Sequence, residues 1–96
     1  MDILDDAAVD EAIAGSALRW ERQGRELCKV VTGRNFADSL AYVNAVGELA
    51  EAAGHHPDID IRWNRVTLHL STHDAGGLTN LDLALARQID ELDNQA

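Results

Sequence analysis

Three of the four histidines stand where they could act together as acids and bases. His55 and His56 are adjacent and precede Pro57, and His73 follows the next apolar segment. An imidazole has an unperturbed pKa of about 6.5, so it can give or accept a proton near neutral pH. We therefore take His55, His56 and His73 as the candidate acid/base group.

A hairpin is predicted to position these histidines. Apolar and polar residues alternate over 58–63 and again over 66–71, which indicates two strands joined by a two-residue turn at Asn64-Arg65. This turn pairs Trp63 with Val66 and keeps every apolar residue of the hairpin on one face.

The same register places the histidines. Extended beyond the strands, it brings His56 opposite His73, with His55 one residue further out. His69 alternates onto the polar face of its strand, where we expect it to face Asp60 and to take no part in catalysis. Three histidines are thus predicted to converge at one end of the sheet.

The remaining elements follow from periodicity and from capping residues. Gly24 suits the reversal of a first hairpin, and Gly54 suits the end of the central helix. The chain is predicted to be α+β, in the order α-β-β-α-β-β-α, with a four-stranded antiparallel sheet and helices on one face. Helices are expected over 5–14, 36–53 and 80–93, strands over 17–22 and 25–32 besides the hairpin above, and a single domain over 1–96.

Charge and cysteine content restrict the partners. The 96 residues carry a net charge of −9 without a basic cluster, so nucleic acid and anionic membranes are not expected as ligands. Cys28 is the one cysteine and can form no internal disulfide. The acidic first residues are unlike a secretory signal, and no apolar run reaches the roughly 18 residues that span a bilayer. We expect a cytoplasmic protein.

Two acids have both a structural and a functional interpretation. Glu51 lies in the last turn of its predicted helix, where its charge opposes the helix dipole, so it is either an ordinary surface acid or a residue with a role. Asp82 comes three residues after Thr79, as in a capping box, and could instead support the histidines. Trp20 is expected in the core, with a stacking surface as the alternative.

A metal site is a further alternative. The three histidines with Asp74 or Asp82 have the side-chain types that bind zinc or iron. However, adjacent strand residues point to opposite faces, so His55 and His56 converge on one ion only if the backbone leaves the strand there. We therefore expect no metal.

Three segments of the chain resemble the pterin-4a-carbinolamine dehydratase family. They are Glu51-Ala-Ala-Gly-His-His-Pro, Trp63-Asn-Arg-Val, and the run from Ser71-Thr-His-Asp-Ala-Gly-Gly-Leu-Thr to Asp82. The resemblance includes the acid four residues before the histidine pair and a histidine 18 positions after its first member. Residues 28–31 depart from it, because they lack the phenylalanines often found there.

The resemblance implies a reaction and a set of site residues. Family members dehydrate 4a-hydroxytetrahydropterin, the spent cofactor of aromatic amino acid hydroxylases, to quinonoid dihydropterin and water, without a metal or an organic cofactor. It also implies a homo-oligomer, either a dimer or a tetramer, in which sheets join across subunits. Carried over by motif, the catalytic residues are His55, His56 and His73, and the substrate-binding or supporting residues are Glu51, Pro57, Ser71, Thr72 and Asp82.

Two other classes of function stay open. The family also includes a dimerisation cofactor of a transcription factor, so the chain could be a non-catalytic interaction module of the same fold. A metal-dependent enzyme that uses the three histidines is the other alternative.

Overall fold

The computed structural model describes residues 2–94 and contains the predicted elements in the predicted order. Met1 and residues 95–96 of the expected domain lie outside this range. The elements are α1 (Asp6–Gly15), β1 (Glu21–Gln23), β2 (Glu26–Thr32), α2 (Phe36–Ala53), β3 (Asp58–Arg62), β4 (Arg65–Leu70) and α3 (Asn80–Asn94). The prediction of an α+β fold is confirmed.

The strands form one antiparallel sheet in the order β1-β2-β4-β3, so β1 and β3 are its edges. Alternate residues of the two central strands are buried under the helices, and Leu27, Leu68 and Leu70 have no exposed surface. Their neighbours along the strands face the opposite side, which leaves Cys28 and His69 on the face without helices. Trp20 is buried in the core, as predicted.

Local signals fix the ends of α2. The Asn35 side chain accepts a hydrogen bond from the Asp38 N–H and begins the helix. Gly54 ends it with a φ of 63°, a left-handed conformation that suits glycine. The His55 N–H then donates to the Ala50 carbonyl, so the chain leaves the helix with His55 held against its last turn.

The predicted register of the second hairpin is wrong by two residues. The observed pairs are Ile61 with Val66 and Ile59 with Leu68, so Trp63 and Asn64 form the turn. A shift of two residues keeps each side chain on its original face, which is why the alternation alone could not distinguish the two registers.

Contacts with Gly33 and with the first turn of α2 hold the observed turn. The Ser39 hydroxyl donates to the Trp63 carbonyl over 2.6 Å, and the Asn64 side chain donates to the Gly33 carbonyl over 3.1 Å. The Gly33 N–H donates in return to the Asn64 carbonyl. Trp63 has a φ of 51° and lies largely exposed, not on the apolar face where the prediction placed it.

The first hairpin also differs from its prediction. Its first strand begins only at Glu21, because Ala17 has a φ of 51° and the Leu18 N–H is still bound to the Ile13 carbonyl of α1. Within the described residues, no helix has the length and apolar character needed to cross a membrane.

Candidate functional site

The three candidate histidines lie at the same end of the β3–β4 hairpin. His55 and His56 come just before β3, and His73 comes three residues after β4 ends at Leu70. Because the strands are antiparallel, the start of β3 and the end of β4 lie at the same end of the sheet. The predicted direct opposition of His56 and His73 is wrong, since it depended on the shifted register and β3 pairs no further than Asp58 with His69.

His55 is buried and bound to a carboxylate. Its Nε2 lies 2.5 Å from Asp82 Oδ1, and only 8% of its surface is exposed. Asp82 itself has no exposed surface. A buried carboxylate bonded to one ring nitrogen holds the imidazole in one orientation.

The second oxygen of Asp82 serves the fold. Oδ2 accepts hydrogen bonds from the Thr79 N–H over 2.9 Å and from the Thr72 hydroxyl over 2.8 Å. The Thr79 hydroxyl accepts in turn from the Leu81 N–H, which completes the cap at the start of α3. The structural and supporting interpretations of Asp82 are therefore compatible, with one carboxylate oxygen serving each.

His56 has a different partner in a different environment. Its Nε2 is hydrogen-bonded to Glu51 Oε2, and both side chains are more than half exposed. Glu51 therefore has a partner in spite of its unfavourable place at the end of α2. Pro57 follows this pair, half-buried, and leads into β3.

His73 is the most exposed of the three candidates. It lies in the turn after β4, and its Nε2 is 4.0 Å from Asp58 Oδ2. It lines a cavity of about 340 Å³ together with Ser71, Arg25 and Glu26. Asp58 was not predicted as a partner of His73, because the predicted register placed His56 opposite His73.

The predicted register implied that His69 faces Asp60, and this prediction is wrong. His69 lies opposite Asp58 in the sheet, and its Nδ1 contacts Glu26 and Cys28. Across residues 2–94, these three are the group whose potential metal-ligating atoms lie within 4.8 Å of one another. The three candidate histidines with Asp74 or Asp82 do not form such a group in that part of the chain.

A second buried polar cluster was not predicted from the sequence. Lys29 points to the helix side of the sheet, where its ammonium binds both Asp90 and Asp93 of α3. The Trp20 indole N–H also donates to Asp90, over 2.9 Å. A cavity of about 960 Å³ that Lys29 and Asp93 help to line lies away from the histidines, between the sheet and α2.

The fold and the site together define a small α+β protein with carboxylate-paired histidines at one end of its sheet. Comparison with known families agrees: the model of the "Pterin 4 alpha carbinolamine dehydratase" family matches residues 2–92. The chain belongs to this family. The predicted resemblance is confirmed.

Curated relatives are similar over nearly their whole length. A protein of Roseiflexus castenholzii is 56% identical over 90 residues, covering 94% of this chain and 96% of that one. One of Nocardia farcinica is 56% identical over 87 residues, covering 86% and 90%. Both are named "Putative pterin-4-alpha-carbinolamine dehydratase".

Solved structures show the same fold. A transcriptional coactivator/pterin dehydratase from Brucella melitensis superposes with a TM-score of 0.85 at 26% identity, covering 94% of this chain and 97% of that one. A pterin dehydratase-like protein, described as a RuBisCO assembly factor in the alpha-carboxysome, superposes with a TM-score of 0.61 at 25% identity. That match covers 78% of this chain and 87% of the other.

Proposed function

We propose that this protein dehydrates 4a-hydroxytetrahydropterin to quinonoid dihydropterin and water by histidine acid/base catalysis. The observation that carries the proposal is the arrangement of His55, His56 and His73 at one end of the sheet, each beside a carboxylate. Membership of the dehydratase family supports the choice of substrate. The reaction would recycle the pterin cofactor of an aromatic amino acid hydroxylase in the cytoplasm.

The reaction needs only proton transfers from the protein. The C4a–O bond breaks as the hydroxyl leaves, the lone pair of N5 forms the new double bond, and the proton of N5 is lost. One group must protonate the departing hydroxyl and another must accept the N5 proton. Imidazoles can do both near neutral pH, so the three histidines suffice without a metal or organic cofactor. We assign these steps to the three histidines jointly.

The surroundings of each histidine suggest different tasks. His55 is fixed by Asp82 and shielded from water, which suits a proton donor or acceptor whose position must be constant. His56, with Glu51, and His73 are exposed, so they can exchange protons with solvent between turnovers. In this proposal Ser71 contributes polar groups beside the cavity, Thr72 holds Asp82, and Pro57 directs the histidine pair away from β3.

A direct assay tests the proposal. Purified protein is added to freshly formed 4a-hydroxytetrahydropterin, and the decay of the substrate is compared with the spontaneous rate, before and after exhaustive chelation. We expect the same acceleration in both cases. A rate equal to the spontaneous one would refute the dehydratase proposal, and activity that chelation removes and zinc or iron restores would refute its metal-free form.

An interaction module of the same fold is the second candidate. The solved relatives named as a transcriptional coactivator and as an assembly factor support it. The three histidines and their carboxylate partners favour catalysis. A protein that acts only by binding has no need of paired acid/base groups at one end of its sheet. The assay separates the two candidates.

A further inference from the structure

The face of the sheet without helices brings three different ligand types together. Glu26 and Cys28 are two residues apart on β2, so their side chains point to the same side. Cys28 lies directly opposite His69 of β4 in the register. The sheet therefore places a carboxylate, a thiol and an imidazole side by side on rigid elements.

The three atoms form a compact triangle. Cys28 Sγ lies 3.3 Å from His69 Nδ1 and 3.5 Å from Glu26 Oε1, and Nδ1 lies 2.9 Å from the same oxygen. Tetrahedral zinc, with bonds of about 2.3 Å to sulfur, about 2.0–2.1 Å to nitrogen and about 2.0–2.2 Å to oxygen, separates its ligands by about 3.6 Å (S to N), 3.6 Å (S to O) and 3.4 Å (N to O). The observed triangle differs from this by at most about 0.5 Å.

A nucleophilic triad is the competing interpretation of these residues, and the geometry opposes it. In such a triad the histidine uses one ring nitrogen for the nucleophile and the other for the carboxylate. Here both Cys28 and Glu26 contact the same atom, Nδ1 of His69. A single nitrogen close to both groups does not fit a triad, whereas it is compatible with three atoms that share one ion.

We propose that Glu26, Cys28 and His69 form a zinc-binding site with a fourth position open to water. The combination of sulfur, nitrogen and oxygen ligands suits Zn²⁺ and does not suit Mg²⁺ or Ca²⁺, which take oxygen ligands. The His69 and Glu26 side chains are about a third exposed, so an ion can enter from solvent and keep a water ligand. This site is separate from His55, His56 and His73 and does not depend on the proposed dehydratase activity.

Binding of the ion requires the loss of a proton. In the metal-free protein, burial, followed by the neighbouring carboxylates of Glu26 and Glu21, raises the pKa of the Cys28 thiol to about 11. The ion must therefore displace the thiol proton, which a divalent ion does by stabilising the thiolate. On binding, Cys28 loses its thiol proton to solvent, while His69 offers the lone pair of Nδ1 and keeps its proton on Nε2.

Equilibrium dialysis of chelator-treated protein against zinc, with the metal measured by elemental analysis, tests the proposal. We expect one zinc per chain with micromolar or tighter affinity. Cobalt(II) should give the visible bands of a tetrahedral ion and a thiolate-to-cobalt charge-transfer band in the near ultraviolet. The charge-transfer band identifies Cys28 as a ligand, because the chain has no other cysteine.

Variants identify the other ligands. Cys28→Ser should abolish the charge-transfer band. Glu26→Gln and His69→Gln should each weaken zinc binding at least about tenfold, because the loss of a residue that merely supports a metal ligand already lowers affinity by about that factor. Asp60→Asn, which removes another acid from the same face of the sheet, is the matched control and should bind zinc as the parent does. Thermal melts without metal show whether each variant is folded.

Two results would overturn the zinc site. One is the absence of zinc binding by the folded parent protein. The other is binding that survives Cys28→Ser but is lost in His55→Gln or His73→Gln, which would place the metal among the candidate catalytic histidines. The dehydratase assay gives an independent answer, so failure of one proposal does not imply failure of the other.

Discussion

Asp82 binds His55 with one carboxylate oxygen and caps α3 with the other. The same residue therefore fixes the start of a helix and the orientation of a candidate catalytic imidazole. Because Asp82 is completely buried, neither oxygen can exchange its partner for water without local unfolding. The rigidity of the helix start is in this way transmitted to the histidine.

Asp82→Asn separates the charge of this residue from its shape. The amide oxygen can still accept from Thr79 and Thr72, while the amide nitrogen faces His55 and can no longer stabilise an imidazolium. We expect a melting temperature within a few degrees of the parent and a turnover lower by at least about tenfold, equivalent to 1.36 kcal/mol of barrier. Thermal melts and the dehydration assay measure the two effects.

Thr79→Ala is the control for the cap. It removes the hydroxyl that accepts from Leu81 and bonds to the Thr72 hydroxyl, but leaves the contact between Asp82 and His55. We expect a loss of about 1 kcal/mol in stability and nearly unchanged turnover. An Asp82→Asn protein with full activity and a clearly lowered melting temperature would show that Asp82 only caps the helix.

Glutamine substitutions test the proton-transfer roles of the histidines. His55→Gln keeps a polar group near the buried Asp82, whose Oδ1 an alanine would leave without a partner, and His73→Gln alters an exposed side chain. Neither glutamine can transfer a proton near neutral pH. We expect each variant to lower turnover by about 10² or more, with His73→Gln unchanged in stability. Normal turnover in either variant would remove that histidine from the site.

Glu51 and Glu48 form a matched pair of acids near the end of α2. Glu51 is hydrogen-bonded to His56 and lies in the last turn, where its charge opposes the helix dipole, whereas Glu48 lies one turn earlier. Glutamine at either position should change stability by no more than a few tenths of a kcal/mol. Glu51→Gln alone should lower turnover several-fold. Equal turnover in the two variants would make Glu51 an ordinary surface acid.

The sequence predicted the elements well because their signals are local. The end of the central helix at Gly54 is readable from residue type and spacing, and the structure confirms it with Gly54 in the left-handed conformation. The hairpin register was not readable, since it depends on contacts of Trp63 and Asn64 with Ser39 and Gly33, which are distant in sequence. A shift of two residues preserves the alternation that was the only local evidence.

The residues of the candidate site could be predicted, but which carboxylate binds which histidine could not. The motif named His55, His56 and His73, yet the separate carboxylate partners of His56 and His73 emerge only from the observed geometry. The cluster of Glu26, Cys28 and His69 gave no sequence signal, because its residues come from two strands 41 positions apart.

The raised pKa of Cys28 predicts slow thiol chemistry in the folded, metal-free protein. The folded-state value is about 11 against a reference of 9.0, so the thiolate fraction at pH 8 is about 10² lower than in the unfolded chain. Alkylation of chelator-treated protein should therefore be about 10² slower than in denaturant. Rapid alkylation at pH 8 under native conditions would contradict the buried, protonated thiol.

The same shift makes stability depend on pH in a definite direction. Because the folded pKa is raised, the folded state holds its thiol proton at pH values where the unfolded state has lost it. The contribution to stability is present below pH 9.0 and is lost as the pH rises towards about 11. A comparison of the parent with Cys28→Ser isolates the contribution of the thiol. Between pH 9.0 and about 11, the melting temperature of the parent should fall further than that of the variant.

The exposed edges of the sheet predict a homo-oligomer. β3 is an edge strand of five residues, and Ile59 on it remains partly exposed beside the buried Leu68. Unpaired strand edges favour pairing with a second copy, and a small domain gains stability from the surface that a partner buries. Sedimentation at micromolar concentration should therefore show a dimer or tetramer and no stable monomer. A single species of 10.4 kDa over the whole concentration range would contradict this prediction and would require β3 to stay unpaired in solution.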